Sequence, residues 1–154
     1  MRRDLFNENS KRFFTAGYEG KDIDEFIDHL SEYNIQRVVD VREIPLSRKP
    51  GFSKTALRKR LAEHGIDYIH FRTLGSPSSL RKKLYQDKDF EYFFEEYERH
   101  LETCKDELKK IYEVISERLS CLLCFEKDHS NCHRTAVADR VNQVNGTSFK
   151  VEHI

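Results

Sequence analysis

Five short apolar runs recur along this 154-residue chain, separated by longer stretches with helical periodicity. The runs lie at 13–16, 35–41, 66–71, 119–125 and 148–154. Strands spaced by helices are joined by crossovers rather than hairpins, so successive strands run parallel. The pattern predicts a single three-layer α/β domain, Rossmann-like, with a mostly parallel sheet and helices on both faces. Val38-Val39 and Leu119–Phe125 read as strands buried on both sides, as the strands of a parallel sheet are.

The intervening stretches carry their own signals. Asp22 is placed to cap a helix whose apolar face is Ile23, Phe26, Ile27 and Leu30. Ser53 is placed to cap a helix over 54–64, and Gly65 to end it. Residues 80–117 read as a helical region, with Phe90, Phe93, Phe94, Tyr97 and Leu101 on one face and Leu108, Ile111, Tyr112 and Ile115 on another. Cys132 to Val144 reads as a last helix. Residues 1–11 read as a flexible leader to a domain over 12–154.

Charge narrows the partners. Lys+Arg and Asp+Glu number 27 each, so any nucleic-acid site must be a local patch rather than a property of the whole surface. No apolar run approaches the roughly 18 residues that span a bilayer, which argues against a membrane partner. The basic start, MRRDLFNENSKRFF, lacks the apolar core of a signal peptide. A cytoplasmic location is therefore expected. In that compartment Cys104, Cys121, Cys124 and Cys132 are thiols, catalytic groups or ligands more readily than structural disulfides.

Ligands of parallel sheets bind outside the carboxyl ends of the strands. The residues that follow the five runs are Gly17-Tyr18, Asp40–Arg42, His70–Arg72, Cys124–Glu126 and His153, which are among the most chemically capable in the chain. Cys124 and Glu126 leave the most apolar strand, and Cys132, His133 and Arg134 then start a helix. A helix start lowers a thiol's pKa and attracts anions, and an arginine adds a planar fork for phosphate or carboxylate. The plainer alternative is a helix cap at Asn131 or Cys132 with Arg134 paired to Glu126. Asp40 beside Arg42 reads equally well as an orienting carboxylate or as an ion pair that holds the loop. The basic loop Ser47-Arg48-Lys49 could bind phosphate or merely be solvated. Cys121 and Cys124 have a zinc-ligand spacing, but residues three apart on a strand face opposite sides, so no metal site is expected.

The candidate catalytic groups are thus Cys124, Glu126, Cys132 and His133, and the candidate ligand contacts are Tyr18, Arg42, Ser47, Arg48, Arg134 and His153. They suit an anionic or phosphorylated ligand, nucleic acid among them; no motif names a cofactor or an oligomeric state. Three functions compete. The first is an enzyme acting on a phosphorylated substrate, with Glu126 or His133 as acid or base. The second is a non-catalytic anion-binding module. The third is a thiol-dependent sulfurtransferase or redox protein using Cys124 and Cys132.

A series of short motifs adds a resemblance. They are Gly17-Tyr18-Glu19-Gly20, Asp40-Val41-Arg42 with Pro45 and Ser47, Gly51-Phe52-Ser53, Gly65-Ile66-Asp67-Tyr68, Leu74-Gly75, Leu123-Cys124-Phe125-Glu126, Cys132-His133-Arg134 and His153-Ile154. In this order they resemble the domain-of-unknown-function 488 family over residues 13–154. The resemblance implies the α/β fold and these candidate residues, and no particular reaction. Ser76-Pro77 stands where the family pattern suggests a further glycine. A weaker similarity to rhodanese-like sulfurtransferases rests on the aspartate-valine-arginine strand end and a cysteine before an arginine-bearing helix. Those proteins hold the cysteine and arginine much closer than Cys124 and Arg134, which are ten residues apart.

Overall fold

The computed structural model describes residues 12–126, 133–145 and 149–154. Five strands, β1 (Arg12–Gly17), β2 (Arg37–Asp40), β3 (Asp67–His70), β4 (Ser120–Cys124) and β5 (Lys150–His153), form one sheet in the order β3-β2-β4-β1-β5. Every pairing is parallel. The helices are α1 (Ile23–Glu32), α2 (Lys54–Glu63), α3 (Ser78–Asp87), α4 (Phe90–Glu102), α5 (Lys105–Glu117) and α6 (His133–Asn145). None of the described helices is long and apolar enough to cross a membrane.

Strand alternation divides the core in two. Phe13, Val39 and Leu122 pack with Tyr97, Leu101, Leu108, Ile111, Val137 and Val141 from α4, α5 and α6. Their chain neighbours Phe14, Val38, Cys121 and Leu123 pack on the other face with Phe26, Ile27, Leu30, Leu57 and Leu61 from α1 and α2. Adjacent residues on one strand point to opposite faces, so each apolar run supplies both layers at once. Cys121 therefore lies on the α1–α2 face, and the parity of the strand puts Cys124 on the other.

Asp22 caps α1 as its position predicts, accepting a 2.8 Å hydrogen bond from the Glu25 N–H. Ser53 precedes α2 but makes no side-chain cap. Its hydroxyl instead accepts from the Ser47 N–H at 3.0 Å and donates to the Ser47 carbonyl at 3.2 Å, closing the loop after β2. Gly65 follows α2 in a left-handed conformation, φ 71°. The helical region over 80–117 is broken into three helices. Lys88 adopts φ 55° at the end of α3, and Asp89 restarts the chain by accepting from the Tyr92 N–H at 3.0 Å. A second break, at Thr103-Cys104, lets α4 and α5 lay separate apolar faces on the sheet, Phe93, Tyr97 and Leu101 on one and Leu108, Ile111 and Ile115 on the other. Phe90, assigned to the first of those faces by spacing, is 42% exposed because it lies at the first residue of α4.

Candidate functional site

All five strands end on the same edge, which gathers Tyr18, Arg42, His70, Cys124, Glu126 and His153. The chain leaving β1 stays beside the chain leaving β4. The Tyr18 N–H donates to the Cys124 carbonyl at 3.3 Å and the Glu19 N–H to the Phe125 carbonyl at 2.9 Å. Gly17 is needed at this crossing. A Cβ there would overlap the Glu126 carbonyl and lie 2.8 Å from Arg134 Nη1.

At the end of β2, Arg42 is 6% exposed and Asp40 fully buried. Arg42 donates from Nη2 to Asp40 Oδ2 at 2.7 Å and from Nε to Asp40 Oδ1 at 2.9 Å. Its Nη1 donates to the Phe52 carbonyl at 2.7 Å and to the Tyr18 hydroxyl at 3.2 Å. Tyr68 closes the far side of the carboxylate with a 2.5 Å bond from its hydroxyl to Asp40 Oδ2. Burial opposes the charge on Arg42, but the Asp40 hydrogen bonds and charge outweigh it and raise the guanidinium's pKa. Burial beside Asp40 likewise pushes the Tyr68 phenol up. The described hydrogen bonds of Arg42 thus go to its own strand end, to Tyr18 and to the loop at Phe52.

The loop residues serve the same end. Ser47 is held by Ser53 and its hydroxyl accepts from the Lys49 N–H at 3.1 Å, while Lys49 Nζ donates to the Tyr18 carbonyl at 3.0 Å. Tyr18 stacks on Phe52 with centroids 4.3 Å apart and meets the half-exposed Phe125 edge-on at 5.3 Å. Arg48 is exposed.

The end of β4 is built differently. Arg134, on the first turn of α6, is fully buried and heads the largest such side chains among the described residues. Its Nε donates to Thr15 Oγ1 at 3.0 Å, and its Nη1 to Cys124 Sγ at 3.1 Å and to the Glu126 carbonyl. Cys124 is fully buried and disulfide-bonded, whereas Cys104 and Cys121 are free thiols. Burial pushes the pKa of both free thiols up, so neither is primed as a nucleophile. The Glu126 carboxyl is also pushed up by burial, against the lowering charges of Arg134 and of Arg81 on α3. Arg81 in turn pairs with Glu43 at 3.3 Å, and Glu43 also accepts from the Ser78 hydroxyl. Cys132 and the side chain of His133 lie outside the described residues.

Sequence reasoning missed Thr15, Glu43 and Arg81 at the site, and it marked Gly17 as a strand end without its close approach to Glu126. Thr15 had a signal, as the one hydroxyl in the run Phe13-Phe14-Thr15-Ala16. Arg81 had none, being one of several cations on a surface helix. A cavity of about 450 Å³ opens at the opposite edge of the sheet, among Arg12, Tyr33, Gln36, Ile115 and Leu119. It lies near the starts of β1, β2 and β4, at the end of the sheet away from Cys124 and Glu126.

No curated protein and no solved structure matches the chain. A family model described as Domain of unknown function DUF488 matches residues 22–141, which takes in both β2 and β4 with their buried arginines. Most of the sequence lies within that match, and the chain belongs to this family.

Proposed function

We propose that the chain is a thiol–disulfide exchange protein whose redox couple is Cys124 with Cys132. The observation that carries this reading is the buried guanidinium of Arg134, 3.1 Å from the sulfur of a disulfide-bonded Cys124. A fixed cation beside a sulfur favours its thiolate, and a more stable thiolate is a better leaving group in exchange. Cys124 is fully buried, so the incoming thiolate attacks the Cys132 sulfur. The S–S bond breaks, a mixed disulfide forms at Cys132, and Cys124 leaves as a thiolate beneath Arg134. The second thiol of a dithiol substrate then displaces Cys132, leaving this chain with a thiol at Cys132 and a thiolate at Cys124, and the substrate as a disulfide. Two electrons pass, and of the two protons the substrate gives up one goes to Cys132 and the other to solvent. Glu126, whose carboxyl holds its proton to higher pH because it is buried, is the neighbouring group suited to exchange one of them.

The phosphorylated-substrate reading required Arg42 and Arg134 to offer free forks to one ligand. With Arg42 held by Asp40, Tyr18 and Phe52, that reading loses support. Non-reducing peptide mapping and a redox titration against a dithiol test the proposal together. The expected result is a Cys124–Cys132 link that is reduced reversibly, with exchange abolished in Cys124→Ser and in Cys132→Ser. Exchange that survives both substitutions, or sulfate and nucleotide binding that depends on Arg42 and ignores the thiols, overturns it.

A further inference from the structure

Resting on that reading, we infer that Thr15 and His153 are positioning residues that hold Arg134 against the Cys124 sulfur and so set how readily the disulfide is reduced. The two lie side by side in the sheet, where β1 and β5 pair Thr15 with His153 in register. On its other side Thr15 is in register with Leu122 of β4, two residues before Cys124. Three adjacent strands and the start of α6 therefore bring four side chains into one line. It runs from His153 at the exposed edge strand, through Thr15, which is fully buried, to Arg134 and the sulfur.

Donor chemistry fixes the inner link of the line. A guanidinium N–H only donates, so the 3.0 Å contact makes Thr15 Oγ1 the acceptor from Arg134 Nε. The same hydroxyl meets His153 Nδ1 at 2.5 Å, so Thr15 is held from the edge strand while one of its lone pairs serves Arg134. Arg134, anchored there, presents Nη1 to Cys124 at 3.1 Å. A guanidinium can swing about its long side chain, so anchoring Nε decides where Nη1 points. None of this chain is required by packing alone, since valine would fill the same space in a strand.

The consequence is a redox one. Opening the disulfide leaves negative charge on Cys124, and a well-aimed cation stabilises the reduced form and makes the couple more oxidising. Thr15→Val keeps the shape and removes the hydroxyl. It should lower the equilibrium constant for reduction by about tenfold, a shift of roughly 30 mV for this two-electron couple. Thr15→Ser should restore the original value. His153→Phe, on the edge strand, should shift the couple in the same direction by a smaller factor, about threefold, and remains informative if the buried Val variant does not fold. The measurement is a redox titration against a dithiothreitol buffer, read by alkylation and mass, on variants first shown to unfold cooperatively. Folded Thr15→Val or His153→Phe protein with the wild-type equilibrium constant overturns the inference while leaving the exchange reading intact. A wild-type disulfide that does not exchange with the dithiol at all overturns the exchange reading itself, and the inference falls with it.

Discussion

The ends of β2 and β4 each bury an arginine, and they use it in opposite ways. At β2 the guanidinium of Arg42 meets the carboxylate of Asp40 two residues away, with Tyr18, Tyr68 and Phe52 completing the hydrogen bonds. Charge meets charge within one strand end, and the pair fixes the loop. At β4 the described donors of Arg134 reach a hydroxyl, a sulfur and a backbone carbonyl, drawn from β1, from β4 and from the chain leaving it. That guanidinium ties together segments distant in sequence and places a cation beside the sulfur of Cys124. Both arginines are buried, and what differs is the chemistry of the groups they touch.

The comparison breaks most readily at Asp40. Asp40→Ala leaves Arg42 buried without its counter-ion, and losing one partner of a buried pair should cost about 3–5 kcal/mol. Chemical denaturation checks this. A loss near zero would mean that Arg42 turns to solvent or to a ligand, which would revive the anion-site reading.

Gly17→Ala should come next. Its Cβ would collide with the Glu126 carbonyl and press on Arg134 Nη1, and overpacking of this kind typically costs about 1–3 kcal/mol. The same denaturation measurement applies. The redox couple should shift as well, because the displaced groups adjoin the sulfur. The β2 end has its own close approach, where a Cβ at Gly75 would lie 2.1 Å from the Glu43 backbone nitrogen. At Gly17, a loss of stability without any change in the couple would separate packing from chemistry at β4.

The smallest effect concerns Glu126. Burial raises its carboxyl pKa above the ordinary 4.5, so the folded chain keeps this proton to higher pH than the unfolded chain does. The resulting stability is complete below 4.5 and is lost as pH rises through the native value. Glu126→Gln removes the titration. Relative to wild type, the variant should therefore gain stability on going from acidic to neutral pH, while the difference stays flat below the ordinary carboxylate range. Denaturation midpoints of both proteins across pH test the sign, and a gain in the opposite direction would mean that Arg134 and Arg81 outweigh burial.

The parallel sheet was legible because apolar runs such as Val38-Val39 and Leu122-Leu123 repeat at helix-sized intervals, and that spacing leaves few topologies. The cap at Asp22 was legible for the same local reason, since a carboxylate reaches only its own first turn. The division near Thr103 was legible too, from two separate apolar faces, but the break at Lys88 was not, because one helix and two consecutive helices share one periodicity until packing divides them. Nor was the role of Ser53, whose hydroxyl had two neighbours to choose from and bonded to Ser47 rather than to its helix.

What the sequence determined by itself is the alternation of strands with helical stretches, the parallel sheet that this forces, and so the edge at which Cys124 and Glu126 leave β4. What only the tertiary structure decided is which partner each of them takes. Asp40 and Arg42 look the same in sequence as a ligand clamp, and Thr15 looks like a core residue with a spare hydroxyl. Hydrogen bonds act over about 3 Å and depend on direction. Their assignment waits until β1, β4, β5 and α6 are side by side, which no local pattern specifies.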